Sequence, residues 1–165
     1  MRWLLAIIAV LVVLVGAVAL VGMTLPQNHT ASRSVHFNAP PDSLWQIITS
    51  VEQYPLWRKE VDSVQRVEGA QLAWREVSGR DRVSYEAEAM EKPSHFVSRI
   101  TDKGLPFGGS WDYRIERDGT GSKVTITENG EVYNPIFRFV SRYVMGHTAT
   151  LDKYLAALAA KTGER

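Results

Sequence analysis

The chain opens with a long run of apolar residues and then changes to alternating polar and apolar positions. Residues 3–25 (WLLAIIAVLVVLVGAVALVGMTL) carry no charged side chain. As a helix, this run would be about 34 Å long, which is enough to cross a hydrocarbon core of about 30 Å. The pattern predicts one N-terminal transmembrane helix within residues 1–25, and with it the membrane as a partner of the chain.

A cleaved signal peptide is the alternative interpretation of the same run. Residues 17–19 (AVA) resemble a cleavage site, but the sequence stays apolar over residues 20–25, which makes the hydrophobic stretch overlong for a signal peptide. We therefore favour a retained single-pass anchor in the cell membrane. Arg2 and the free amine favour an inside N-terminus, and Arg33 is the only nearby counterweight. The globular part is then expected on the non-cytoplasmic side.

The rest of the chain has the length and composition of one domain. After a polar linker at residues 26–31, residues 32–160 are long enough for one hydrophobic core, and residues 161–165 form a tail. The first strand is expected at residues 32–37. A helix begins at residues 40–42 (PPD), because proline is favoured in a first turn and an aspartate there complements the helix dipole.

Turn-forming residues divide the middle of the domain into about six strands between residues 61 and 132. Pro135 then opens a long helix that runs to about residue 160. A meander of antiparallel strands has one apolar face, and this last helix is the only element long enough to cover it. The expected fold is α+β, with a curved antiparallel sheet of about seven strands wrapped on a long C-terminal helix.

Charge and composition exclude several function classes. The 18 acidic and 19 basic residues nearly balance, and no Lys/Arg-rich run occurs. The sequence therefore lacks the strong positive electrostatic field that is typical of a nucleic-acid-binding protein. There is no cysteine, and the four histidines have no metal-ligand spacing. The sequence contains no G-x-S-x-G motif, so it gives no indication of a serine hydrolase. We therefore predict no metal, no other cofactor and no nucleic-acid partner.

Residues 35–69 (VHFNAPPDSLWQIITSVEQYPLWRKEVDSVQRVEG) carry a family resemblance. A strand, an AP helix start, a tryptophan in the first helix and YPLW before the second strand resemble the START-like, polyketide cyclase/dehydrase-like (SRPBCC) superfamily. The resemblance extends over residues 32–160. It implies the helix-grip fold and a deep cavity between the sheet and the last helix, in which different relatives hold lipids, sterols, polyketides or hormones. A few such relatives are enzymes and many are carriers.

The hairpin turns predict which side chains face each other across the sheet. An aromatic row is expected on the inner face: Trp74, Tyr85, Ile100, Trp111 and Glu128. A charged row is expected to face solvent: Glu86, Arg99 and Asp112. In these registers Arg99 lies opposite Asp112, and Ala89 lies opposite Phe96. The small inner residues Ala87 and Ser98 leave volume, which favours a cavity over the alternative of a filled core.

The candidate ligand-binding residues are the inner-face side chains and one histidine of the last helix: Trp74, Tyr85, Ala87, Ser98, Ile100, Trp111, Tyr113, Glu128 and His147. The histidine falls within an apolar stripe that recurs every three or four positions: Ile136, Val140, Val144, Leu151, Tyr154 and Leu158. Glu128 and His147 are candidates for a catalytic acid/base pair or for the polar anchor of a ligand. The alternative is that both residues have only structural roles: His147 would donate a hydrogen bond to a backbone carbonyl, and Glu128 would reach the edge of the cavity.

The loop at residues 103–109 (KGLPFGG) is expected to border the cavity mouth through Leu105 and Phe107, although an ordinary loop would also tuck these side chains inward. The function that we expect is a membrane-tethered binder of a hydrophobic or amphipathic, lipid-like small molecule. A cyclase- or dehydratase-type enzyme acting on a ligand in the same cavity is one alternative. A tethered interaction module without a ligand is the other, since no complete catalytic set is visible.

Overall fold

An N-terminal helix precedes an antiparallel sheet and its covering helices. The computed structural model describes residues 2–68, 71–146 and 148–164. The helices are α1 (Arg2–Thr24), α2 (Pro41–Thr49), α3 (Pro135–Val140) and α4 (Ala149–Thr162), with a 3₁₀ helix (Val51–Leu56) after α2 and a π-helical turn (Ser141–Met145) after α3. The strands are β1 (Asn28–Phe37), β2 (Ser63–Arg66), β3 (Ala73–Ser78), β4 (Asp81–Glu91), β5 (His95–Ile100), β6 (Phe107–Asp118) and β7 (Gly121–Val132).

The seven described strands form one antiparallel sheet in the order β1-β7-β6-β5-β4-β3-β2. Its inner face packs against α2, the 3₁₀ helix and α4, and the most deeply buried side chains include Phe37, Ile48, Phe96 and Leu158. Burial of these apolar surfaces is the main favourable contribution to folding. The helix-grip fold expected from the sequence is confirmed.

The first strand begins earlier than predicted. β1 starts at Asn28, so residues 28–31 belong to the sheet and not to a linker. The reason is non-local, because β1 pairs with β7 along its whole length, from Asn28 opposite Glu131 to Phe37 opposite Ser122. Residues 28–31 (NHTA) contain a single apolar residue, so they show no alternation of apolar and polar positions from which a strand could be predicted.

The predicted C-terminal helix is interrupted. It does begin at Pro135, where the Asn134 side chain accepts hydrogen bonds from two backbone N–H groups, but α3 passes into the π-helical turn and ends at Gly146. Gly146 has a φ of 75°, in the left-handed region that a helix does not use. The predicted apolar stripe is therefore divided: Val144 is 72 % exposed, whereas Leu151 is buried.

Most predicted pairings are confirmed, and two are wrong. Trp74 pairs with Tyr85, and Trp111 with Glu128. Between β5 and β6, however, Arg99 lies opposite Ser110 and not Asp112. A bulge between Ala87 and Ala89 also places Ala89 opposite Val97 and not Phe96. The β5–β6 error amounts to two residues, and because side chains alternate with a period of two, the predicted inner and outer faces of these two strands are unchanged. The bulge shifts the pairing by one residue, so beyond it Met90 and not Ala89 lies opposite the buried Phe96 and packs against the core.

Helix α1 is long and apolar enough to cross a membrane, as judged by length and composition. Its large apolar side chains are exposed, but its C-terminal end contacts α3. Gly22 is buried there, and a side chain at this position would overlap the backbone of Pro135. Arg138 of α3 donates hydrogen bonds to the carbonyl oxygens of Leu25 at 3.4 Å and Val132 at 2.8 Å. The end of α1 is thus packed against the domain.

Candidate functional site: a cavity between the sheet and the C-terminal helices

A cavity of about 510 Å³ lies between the inner face of the sheet and the helices that cover it. Its walls come from the 3₁₀ helix, the central strands, α3 and α4. Most of the residues predicted to bind a ligand line it: Trp74, Tyr85, Ser98, Ile100, Trp111, Tyr113 and Glu128. Phe107 and Phe137 line the cavity and are 41 % and 52 % exposed, so they border an opening, which we call the mouth.

Two residues predicted to line the cavity or its mouth do not do so, and a third lies outside the described residues. Ala87 packs against the hydrophobic core and does not line the cavity. Leu105 is half-buried in its loop, and the neighbouring Pro106 takes the place at the cavity wall. His147 lies outside the described residues, so its pairing with Glu128 stays a prediction.

Aromatic rings form much of the cavity wall. Trp74 stacks on Tyr85 with ring centroids 5.3 Å apart and an interplanar angle of 15°. On the opposite side, Tyr154 of α4 contacts Trp111 and Tyr113, with centroids 5.6 Å apart in both pairs. Such ring pairs add to the stability gained from burial of the rings themselves.

One part of the wall is charged. The Arg58 guanidinium donates hydrogen bonds to Glu60 and Glu76, each at 3.0 Å, and Trp74 Nε1 donates to the same Glu76 oxygen at 3.0 Å. Lys153 of α4 lies 3.7 Å from Glu60. We call Arg58, Glu60, Glu76 and Lys153 the polar cluster. Its formal charges balance, so it presents polar groups to the cavity without a strong net field.

A second polar group on the wall involves three separate elements. Glu128 of β7 accepts a hydrogen bond from the Thr150 hydroxyl of α4 at 2.9 Å, and its other oxygen lies 3.3 Å from His29 Nε2 of β1. The side chains of His29 and Glu128 are 16 % and 17 % exposed. The carboxylate on the inner face therefore has the partners that a part-buried charge requires.

Comparison with known proteins identifies the fold family. Residues 28–162 match the family described as polyketide cyclase / dehydrase and lipid transport. The chain belongs to this family. The match covers the whole sheet and α4, and it begins at the first residue of β1.

Solved structures show the same fold at low sequence identity. A START superfamily protein from Mycobacterium smegmatis is 15 % identical with a TM-score of 0.65, and the alignment covers 82 % of this chain and 97 % of that one. The ZhuI aromatase/cyclase from Streptomyces sp. R1128 is 13 % identical with a TM-score of 0.64, covering 82 % and 94 %. Norcoclaurine synthase from Thalictrum flavum is 9 % identical with a TM-score of 0.65, covering 84 % and 95 %. No curated protein matches the chain.

Two charged side chains in the cavity of this family member, Arg58 and Glu60, have shifted pKa values. Burial is the largest effect on Arg58 and opposes its charge, but the Glu76 carboxylate and the nearby tyrosines together outweigh it and raise the pKa of the guanidinium. Burial also opposes ionisation of Glu60, yet hydrogen bonds from its own backbone and from Arg58 lower its pKa. Both shifts favour the charged forms of Arg58 and Glu60 at neutral pH.

The buried tyrosines of the cavity stay neutral, because burial disfavours the charged tyrosinate. Burial raises the pKa of Tyr54, Tyr113 and Tyr154 well above the ordinary value, and that of Tyr85 rises in the same direction. The Tyr54 hydroxyl donates to the Ile48 carbonyl at 2.6 Å. The buried Tyr154 hydroxyl has no hydrogen-bond partner of regular geometry in the described part of the chain. Neutral hydroxyls thus add hydrogen-bonding capacity to the wall without adding charge.

Sequence reasoning missed two functional contributors, Arg58 and His29. Arg58 follows YPLW directly, and a cation next to an aromatic, apolar segment is a signal that a buried pair could be present. His29 was assigned to the linker, so no pattern connected it with Glu128, which is 99 residues away in the sequence. In the described ranges, no group of His, Asp or Glu residues is arranged to hold a metal ion.

Proposed function

We propose that the protein is a membrane-tethered binder of a hydrophobic or amphipathic, lipid-like small molecule. The observation that carries the proposal is the cavity of about 510 Å³ with its aromatic walls. Small-molecule sites are apolar cavities of about 300–1,000 Å³ with a few placed polar groups, and this cavity has those properties. The lipid transport named in the family description supports the same class of ligand.

The distribution of polarity on the wall favours an amphipathic ligand. Ile100, Trp111 and the ring of Trp74 provide apolar contact surface, while the polar cluster and Glu128 provide charged hydrogen-bonding groups. A purely apolar molecule would leave these polar groups without compensation for lost water, which costs free energy. A molecule with an apolar body and an oxygen-rich end would satisfy both parts of the wall.

The membrane tether is α1, retained in the mature protein, and we place the domain on the non-cytoplasmic side because Arg2 and the amine outweigh Arg33. The chain contains no cysteine, so Glu116→Cys introduces a single thiol in the β6–β7 hairpin. A membrane-impermeant maleimide should label it in intact cells of the host. Labelling only after lysis would show that the domain faces the cytoplasm.

The ligand-binding proposal is tested with the full chain in a mild detergent and a fluorescent fatty-acid analogue. We expect saturable binding to the wild type. Ser98→Phe should weaken it at least tenfold, because Ser98 lines the cavity and is 5 % exposed. The matched control Ser34→Phe changes an exposed position on β1 and should bind like the wild type. Absence of saturable binding to the wild type would refute the proposal.

A dehydratase- or cyclase-type enzyme is the second candidate, favoured by the contact between His29 and Glu128 on the cavity wall. A carboxylate beside an imidazole is suited to proton transfer on a bound ligand. The test is incubation of the full chain with β-hydroxy and poly-β-keto thioesters, followed by mass spectrometry for loss of water. Glu128→Gln should abolish the loss of water and leave binding of the fatty-acid analogue in place. No product from any thioester would exclude this chemistry for that substrate class.

A further inference from the structure

An apolar segment beside the cavity mouth is only partly covered by the rest of the chain. Residues 135–144 (PIFRFVSRYV) form α3 and most of the π-helical turn, and α3 contains no buried residue. The exposed fractions are 52 % for Phe137, 60 % for Tyr143 and 72 % for Val144. A contiguous apolar surface of this kind marks a site of interaction, since a soluble protein gains by burying it.

The contact between α1 and α3 fixes where this segment lies. Gly22 belongs to the last turn of α1, and its close approach to Pro135 leaves no room for a side chain. The 23 residues of α1 are about 34 Å long, against a hydrocarbon thickness of about 30 Å. If α1 crosses the bilayer, then its last turn is at the membrane surface, and α3 is held at the same level.

The side chains of residues 135–144 are of the types that favour a position at the membrane surface. Arg138 and Arg142 are its only charged residues, and it contains no acidic side chain. Basic residues next to exposed apolar and aromatic ones are typical of elements that lie in the headgroup region of a membrane. Tyr133 and Tyr143, both exposed, would occupy the interface where tyrosine is enriched, as Trp3 would at the opposite end of α1.

We propose that residues 135–144 lie in the interface of the bilayer that α1 crosses, so that the cavity mouth faces the membrane. A lipid-like ligand then passes between bilayer and cavity beside Phe107 and Phe137 without crossing water. This inference rests on the proposed function, because it requires α1 as a tether and the cavity as a lipid-binding site. It adds the surface that contacts the membrane and the route that the ligand takes.

The test uses the full chain in vesicles of phosphatidylcholine and phosphatidylglycerol. Because the chain has no cysteine, Val144→Cys, Glu116→Cys and Val13→Cys each accept one environment-sensitive fluorophore. We expect the label at Val144 to be quenched by lipids spin-labelled near the headgroup and protected from iodide. The label at Glu116, in the β6–β7 hairpin, should be quenched by iodide, and that at Val13, mid-way along α1, by spin labels deep in the acyl chains.

The outcomes separate the two proposals. Equal iodide quenching at Val144 and Glu116, with lipid quenching retained at Val13, would overturn the interfacial placement while leaving the tether intact. Absence of lipid quenching at Val13 would refute the tether itself and the inference with it. Lipid quenching at both Val13 and Val144 supports the inference.

The route of the ligand is tested by measuring how fast the ligand passes from vesicles to the protein. The double variant Tyr143→Asp and Val144→Asp changes residues that do not line the cavity, and it adds negative charge to the surface that should contact the membrane. Transfer of the fluorescent fatty-acid analogue from vesicles to the protein should slow about tenfold, since each added carboxylate is repelled by the anionic phosphatidylglycerol at the membrane surface. Affinity in detergent should be unchanged. An unchanged transfer rate would overturn passage through the mouth from the bilayer.

Discussion

Arg58 Nη1 lies 3.0 Å from Glu76 Oε1 on the wall of the cavity, with both side chains almost fully buried. The guanidinium also lies over the rings of Tyr54 and Tyr154, at 4.8 and 5.3 Å from their centroids. Removing two charges from water is costly, and here the mutual attraction, the aromatic faces and the Trp74 N–H offset that cost. The pair joins the 3₁₀ helix region to β3 and α4, so it contributes to the shape of the cavity as well as to its polarity.

Breaking this pair should destabilise the fold strongly. In Arg58→Met the Glu76 carboxylate keeps its burial but loses its cation, and we expect a loss of about 3 kcal/mol or more in the free energy of unfolding. The measurement is denaturant unfolding of the full chain in detergent, followed by tryptophan fluorescence. The control is Arg66→Met, which breaks an exposed pair with Glu52 and should cost less than about 1 kcal/mol. Similar losses in both variants would contradict the role of burial.

The outer charge row should be dispensable. Arg99 pairs with Glu88 and lies 3.8 Å from Glu131, and its side chain is 42 % exposed. Arg99→Ala should change the free energy of unfolding by no more than about 1 kcal/mol, because exposed ion pairs are screened by water and salt. The same unfolding assay measures it. A loss of several kcal/mol would mean that Arg99 faces inward, which is incompatible with the inner position of Trp111.

Stability should fall at alkaline pH. Burial raises the pKa of Tyr54, Tyr113 and Tyr154 above the value of about 10 that they have when unfolded. The folded state therefore holds these protons more tightly than the unfolded state. This contribution to the free energy of unfolding is complete below about pH 10. It is lost as the pH rises further, by up to about 1.4 kcal/mol per pH unit for each tyrosine. Absorbance of tyrosinate, recorded beside circular dichroism, should show that the buried tyrosines ionise only as the protein unfolds. Their full ionisation in a still-folded protein would contradict the burial.

Trp111 and Phe107, two of the aromatic residues that line the cavity, should affect different steps of binding. Trp111 forms part of the wall, so Trp111→Ala should weaken binding of the fluorescent fatty-acid analogue about tenfold or more, the size of a lost aromatic contact. Phe107 borders the mouth, so Phe107→Ala should mainly change the rates of association and dissociation. Equilibrium titration and stopped-flow fluorescence separate these effects. Equal losses of affinity in both variants would remove the distinct role of Phe107.

The packing of α1 on α3 should depend on one glycine. Gly22→Ile places a branched side chain against the Pro135 backbone, whereas Gly16→Ile in the same helix meets open space. We expect Gly22→Ile to lower the unfolding midpoint in detergent and to increase cleavage by protease between α1 and β1, because the close approach is lost. Gly16→Ile should behave like the wild type. Identical behaviour of the two variants would show that the contact adds no stability.

Patterns within short segments determined most of the architecture. The apolar run of residues 3–25, the proline-initiated helices and the turn residues between strands are local signals, and each corresponds to an observed element. The strand faces were also predictable, because a register error of two residues leaves the alternation intact. The inner position of Trp74 and Trp111 therefore followed from the sequence even where the β5–β6 pairing did not.

Only the tertiary structure decided the contacts between distant segments. The pairing of His29 with Glu128, the ion pair of Arg58 with Glu76, and the approach of Gly22 to Pro135 each join elements whose separation in space no local pattern encodes. The interruption at Gly146 likewise separates two helices that share one continuous apolar periodicity. Periodicity specifies which face of an element is apolar, whereas the choice of what covers that face is made by packing among all the elements together.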